Sequence, residues 1–107
     1  MTTFDKREEG FEKKFALDEE QKFKAEARRN RLLGLWVAGK LGLTGDAANA
    51  YAKELVAAEF GEGGDADVVR KVIADLGAKG VTVTDAQVHA QMTELMAQAL
   101  TQVKAGT

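Results

Sequence analysis

Catalysis and metal binding need particular side chains at matched spacings, and this 107-residue chain offers few of them. Its one imidazole, His89, stands next to Val88 at the margin of an apolar helical pattern. A general base needs a nucleophile or an orienting acid beside it, and a metal needs further His, Cys or carboxylate ligands. His89 has no cysteine and no clearly spaced carboxylate to complete such a set, so it reads as a partly exposed, ordinary histidine. The glycine-rich run GEGGDAD at 61–67 suggests a phosphate cradle, but it lacks the signature Lys and Ser/Thr and follows no strand, which makes it an interhelical turn. Arg28, Arg29 and Arg31, grouped around Asn30, could contact phosphate or an acidic surface. With Asp18, Glu19, Glu20 and Glu26 nearby and no stacking platform, they read as a solvated helix face or part of an anchoring surface. No nucleophile–base pair, paired carboxylates or cofactor motif stands out, so no enzyme activity, cofactor or metal is expected.

The chemistry that remains is recognition. The stretch FDKREEGFEKKF, from Phe4 to Phe15, holds three of the five Phe residues among eight charged residues and one glycine. Wound as a helix, Phe4, Phe11 and Phe15 fall within roughly 40° of one another, an aromatic stripe on a charged rod. Burying three such rings on the chain's own body yields about 1.5–3 kcal/mol each. Ordering the backbone costs roughly 1–2 kcal/mol per residue, and Gly10 adds about 1 kcal/mol. The free segment is therefore expected to be mobile and only conditionally helical. Two readings stay open: a frayed turn packing weakly on the body, or a segment that folds into a groove on a partner while its charges set register.

The elements that carry these residues are helical. Pro is absent, and nothing longer than VTVT at 81–84 alternates as a half-buried strand does. Glycines at 42, 45, 61, 63, 64, 80 and 106 punctuate four helical segments. The first is expected from near Asp18, with Gln21 completing a capping box, to about Leu41; it is apolar nearly all round from Leu32 onward, including Trp36, and should be enclosed there. The second starts after Thr44 and presents Ala47, Tyr51, Leu55 and Ala58. The third opens with Asp65 as cap and Asp67 near the positive helix end, and buries Val68, Val69, Val72, Ile73 and Leu76. The fourth begins with a Thr84/Gln87 capping box and a Val83/Val88 staple, and its core face is Val88, Met92, Leu95, Ala99 and Val103, widened by Met96 and Leu100. Met92 and Met96 read as core fillers. Short connections imply a compact, mostly antiparallel four-helix bundle.

Residues 1–30 carry eight basic and eight acidic side chains, whereas residues 31–107 carry seven and nine with most of the aliphatic residues. The expected organisation is therefore an N-terminal segment, 1–17, on a helical bundle domain, 18–107. A net charge of −2 gives no global attraction for polyanions, and the apolar run LLGLWVAG is too short to span a bilayer. With no cysteine, the expected setting is cytoplasmic and the free protein a monomer.

The run KFKAEARRNRLLGLWVAGKLGLTGDAANAYAKELVAAEF, together with GFEKKFALDEE, resembles the zeta subunit family of alphaproteobacterial F-type ATP synthases. The likeness is most specific in AEARRNRLLGLW from Ala25 to Trp36, in AYAK from Ala50 to Lys53, and in DLGAKGV from Asp75 to Val81. It implies a small all-helical ATPase inhibitor whose N-terminal region enters a catalytic αβ interface of the F1 sector near the γ subunit and blocks ATP hydrolysis. The bundle would hold on outside F1, placing the protein peripheral to the inner membrane. Carried over by position, the inhibitory region is 1–17. Phe4, Phe11 and Phe15 would then anchor it in the cleft, while Lys6, Arg7, Glu8, Glu12, Lys13 and Lys14 pair with charges lining the walls. Gly10, where a better helix former would ease folding, and the diluted acidic stretch GEGGDADV depart from the pattern expected of the family. A small helical adaptor or a weak nucleic-acid binder is the alternative.

Overall fold

The computed structural model describes residues 19–106. They form four helices, α1 (Glu19–Leu41), α2 (Gly45–Ala58), α3 (Asp65–Ala78) and α4 (Asp85–Lys104), and no strand occurs among them. The all-α, four-helix expectation holds, and VTVT is the coil that leads into α4. The expected Asp18 cap and the 1–17 segment lie outside the described residues.

Helix starts show which local signals survive folding. At α4 the Thr84 hydroxyl accepts the Gln87 N–H at 3.1 Å while the Gln87 side chain accepts the Thr84 N–H at 2.9 Å, the complete capping box. Thr84→Ala is expected to cost about 1 kcal/mol, a drop of roughly 4–8 °C in Tm by circular dichroism. At α3 the local signal is overridden. The cap position belongs to Gly64, at φ 55°, and Asp65 is the first helical residue. Its carboxylate accepts from the Arg29 guanidinium instead, because a charge-assisted bond to a buried cation outcompetes a solvent-facing cap. Asp67 closes the preceding turn by accepting the Gly63 N–H at 3.0 Å, so the glycine loop is bonded to itself.

Helix α2 keeps the face its spacing suggests at Tyr51, Leu55 and Ala58 and departs from it in its first turn. Tyr51, Ala52 and Leu55 are buried and Ala58 is half-buried, but Ala47 is exposed and Ala48 takes its place against the core. The cause is a close helix crossing. A Cβ at Gly34 of α1 would stand 2.5 Å from the Ala52 Cα and 3.0 Å from its Cβ. Gly34→Ala improves intrinsic helix propensity by up to about 1 kcal/mol, yet it must push α1 and α2 apart, at roughly 1–3 kcal/mol. A lower denaturation midpoint is the expected outcome.

The core joins Leu33 and Val37 of α1 to Leu55 of α2, Val72 and Leu76 of α3, and Val88 of α4, all fully buried. The enclosure expected of the second half of α1 is one-sided. Leu33, Gly34, Val37 and Ala38 are buried, whereas Leu32, Leu35 and Trp36 are half-buried, and the Lys40 ammonium lies 4.7 Å from the Trp36 ring centroid. On the α2–α3 side, Tyr51 donates to Asp75 at 2.7 Å. Burial and that carboxylate push its phenol well above its ordinary pKa, so it remains a neutral donor.

Candidate docking groove and the ion-pair cluster behind it

Helix α1 packs extensively against α2 and α4, but α2 and α4 do not close against each other. Among the described residues, therefore, nothing closes over the N-terminal half of α1. What remains is an open groove of about 600 Å³. Among the described residues, Phe23 and Ala27 of α1, Val56 of α2 and Val103 of α4 give it apolar walls, and Lys24, Arg28 and Arg31 give it basic ones. Lys24 pairs with Glu20 at 3.3 Å, and Arg28 donates to Gln102 at 3.4 Å.

The two exposed large hydrophobic residues of the described chain are Phe23, at 54% and in the groove lining, and Phe60, at 65% and over an adjoining depression that Glu26 and Glu59 also line. Their ring centroids lie 5.5 Å apart at an interplanar angle of 36°. Tilted packing is a favourable arrangement for two rings, but it shelters only one face of each. The rest of both rings faces water, although α1 and the turn after α2 hold them in place.

Behind the groove lies a cluster that sequence spacing did not reveal. Arg29, taken from the sequence as part of a solvated or anchoring face, is 6% exposed. Its Nη2 donates to Glu59 at 2.9 Å and to Asp65 at 2.7 Å, and its Nε donates to the Asn30 side chain at 3.1 Å. Asn30, fully buried, donates in turn to Glu59 at 2.9 Å. Every buried side-chain nitrogen and oxygen among the described residues has a partner. The cluster ties α1 to the end of α2 and the start of α3. Of the three arginines, Arg31 is exposed and Arg28 half-buried, so the basic cluster divides between interior and surface.

One cation serves two carboxylates here. Desolvation raises the Glu59 pKa from its ordinary 4.5, and Asp65 adds to this, while Asn30 and Arg29 oppose it. Desolvation also works to raise Asp65 from 3.8, but hydrogen bonds with Arg29 and Glu59 and the Arg29 charge outweigh it and leave the pKa lowered. Glu59 thus takes the first proton. Its raised pKa means that its ionisation weakens the fold as pH climbs above 4.5, whereas the stabilisation from Asp65 is present above 3.8 and fades as pH falls through its lowered value. Glu59→Gln keeps an acceptor for Arg29 and Asn30 without the charge. Its urea midpoint is expected to stay level where the wild type declines, in the window just above pH 4.5; parallel curves would refute the assignment.

The remaining candidates resolve simply. His89 is exposed and its Nε2 lies 3.2 Å from Asp85, one helical turn earlier. The sequence reading overlooked that carboxylate, which an i, i+4 count would have found. No group of three or more metal-ligating side chains occurs among the described residues. Met92 is buried in the core, and Met96, half-buried, borders a smaller depression beside Leu100. The expected partner-contacting residues, Phe4, Lys6, Arg7, Glu8, Phe11, Glu12, Lys13, Lys14 and Phe15, all lie outside the described residues.

Comparison with known proteins gives both a family and a solved structure. The model of a family described as ATPase inhibitor subunit zeta matches residues 1–102. A protein solved by solution NMR is 53% identical, with a TM-score of 0.68, over 79% of this chain and 96% of its own. No protein of curated function matches.

Proposed function

The chain belongs to the ATPase inhibitor subunit zeta family, and from that premise we propose that residues 1–17 enter a catalytic αβ interface of the F1 sector near the γ subunit and stop ATP hydrolysis. Membership gives the coarser statement, an ATPase-inhibitory role in association with F1. The observation that carries the finer one is the extent of the match, which begins at residue 1 and takes in the charged N-terminal segment together with the bundle.

The chemistry of the segment suits a site that opens and closes. Phe4, Phe11 and Phe15 supply apolar contacts that become favourable once the walls shut around them. Lys6, Arg7, Glu8, Glu12, Lys13 and Lys14 fix the register, because a misplaced charge in a closing cleft is costly. A segment that folds on entering can use the open form of the interface and be gripped by the next one. The bundle stays outside, and no described helix is long and apolar enough to cross a membrane. Location at the cytoplasmic face, peripheral through F1, follows from this reading. Nucleic-acid binding is disfavoured by the cluster behind the groove, where Arg29 is committed to Glu59 and Asp65.

The test is a titration of purified F1 with the full chain. ATP hydrolysis should fall in proportion to the bound fraction and level off at one chain per F1. Undiminished hydrolysis at full occupancy would rule the proposal out.

A further inference from the structure

We infer that the turn between α2 and α3 is a proton-operated clasp on the N-terminal half of α1: a proton held between Glu59 and Asp65 keeps residues 19–30 folded against the body, and its loss lets that half of the helix open while the core stays closed.

Where the apolar contacts lie divides α1 in two. Glu19 to Lys24 are exposed, and Ala25 is the one buried apolar side chain of the described chain before Leu33. The core around Leu33 and Val37 takes in no described residue earlier than Leu32. A stretch with so little buried apolar surface opens at a lower cost than the whole domain. Toward α2 and α3 it is the turn that grips this half, in two ways. Glu59 at the end of α2 and Asp65 at the start of α3 both accept from one atom, the Arg29 Nη2, and Asn30 donates to Glu59. Between those two feet, Phe60 packs its ring on Phe23. The turn itself is firm, since Asp67 accepts the Gly63 N–H and pairs with Arg70. Both grips ride on one short segment, so they release together.

The proton matters because two carboxylates meet one cation. With both ionised, the group carries a net negative charge in a half-buried site and its two acids repel each other. With one proton, Glu59 donates to Asp65 and the charge is cancelled; the proton belongs to the pair. Desolvation, with Asp65 beside it, favours the protonated Glu59, whereas the desolvation of Asp65 is outweighed by its bonds with Arg29 and Glu59, so Asp65 stays charged. The clasp is therefore closed at the ordinary glutamate value of 4.5 and loosens as pH rises above it. The surrounding charges do not replace this pair. Glu26 of α1 lines the same depression as Glu59 and Phe60 and adds to the repulsion. On α4, His89, which pairs with Asp85, lines the depression shared with Arg29 and Asp65, and its charge helps to keep Asp65 ionised. Glu54 of α2 is paired with Lys71 of α3, and Glu62 stands exposed on the turn. Residues 1–17 are joined directly to this half of α1, so the clasp sets how firmly their base is held.

The test is amide hydrogen exchange of the full chain by NMR. It is read as the protection of residues 25–30 relative to residues 33–38 of the same helix, between about pH 7 and about pH 4.5. In wild type that ratio is expected to rise by about threefold or more as pH falls, a fraction of the tenfold that one full pKa unit gives, with the Phe23–Phe60 ring NOE strengthening in step. Glu59→Gln donates to Asp65 without titrating and should hold the ratio high and level. Arg29→Lys offers a single point charge that cannot grip both feet, and should lower the ratio at every pH while residues 33–38 keep their protection. His89→Gln should leave the wild-type dependence in place.

A wild-type ratio that is level with pH overturns the inference. So does a ratio that still rises in Glu59→Gln or goes flat in His89→Gln, either of which gives the proton to another group, and so does equal protection along the whole of α1, which means that the helix opens only with the bundle. Should Arg29→Lys fail to fold, wild type and Glu59→Gln still decide. None of these measurements involves F1, so they stand apart from the function proposed above.

Discussion

Deleting residues 2–17 is expected to abolish inhibition of F1 at concentrations where the full chain inhibits completely, while the helical circular dichroism and its melting stay close to those of the full chain. All the partner contacts proposed for the cleft, from Phe4 to Phe15, go with the deletion. The four helices and every core residue from Leu33 to Ala99 remain. If the three rings contribute about 1.5–3 kcal/mol each on burial in the closed cleft, their loss alone weakens binding by at least a thousandfold, since 1.4 kcal/mol is about a factor of ten. Any contact that the bundle makes outside F1 would persist but place nothing between the catalytic walls. The prediction is thus a split: residual binding with no inhibition. Retained inhibition by the truncated chain would show that the bundle itself acts on the enzyme. In the opposite direction, Gly10→Ala removes about 1 kcal/mol of ordering cost and is expected to tighten inhibition by about fivefold.

Arg29→Ala should produce the largest loss of stability among single substitutions of charged residues in the bundle. Truncating this side chain leaves Glu59 and Asp65 facing each other, with the buried Asn30 amide deprived of one neighbour. Removing one partner of a buried pair costs about 3–5 kcal/mol. The low end, about 3 kcal/mol, applies here because the Asp65 side chain is 52% exposed and can regain water. The Tm should fall by more than roughly 10 °C. The two junctions involved, of α1 with the end of α2 and with the start of α3, would loosen together. Neutralising the acids in the same background, with Glu59→Gln and Asp65→Asn, should recover part of the loss. That recovery distinguishes an electrostatic penalty from a cavity. A loss below about 1 kcal/mol would mean that solvent screens the cluster as it does a surface pair.

The fate of the three neighbouring arginines shows where sequence reasoning reached its limit. Their identity and the charge around them were legible, but their partners were not. Glu59 and Asp65 lie 30 and 36 residues away from Arg29, on either side of a glycine turn, and no periodicity links them to it. The same holds for Phe23 and Phe60, which meet only because α1 and the turn after α2 are brought side by side. His89 is the opposite case, since its Asp85 partner was one helical turn away and available from spacing alone.

The sequence by itself determined the number and type of the elements, the capping box that opens α4, most of the core residues, and the family. The family rests on the likeness of long runs such as AEARRNRLLGLW; the others rest on interactions within a few residues, or on a pattern repeated along one helix, where the 3.6-residue period carries the information. Tertiary structure alone decided that Ala48 and not Ala47 meets the core in the first turn of α2, the burial of Arg29, the use of Asp65 as an ion-pair partner instead of a cap, and the groove beside α1. These depend on how closely two helices approach, as Gly34 and Ala52 do, and on which charges that approach desolvates. Packing distance and dielectric environment are properties of the assembled bundle, and no single stretch of chain contains them.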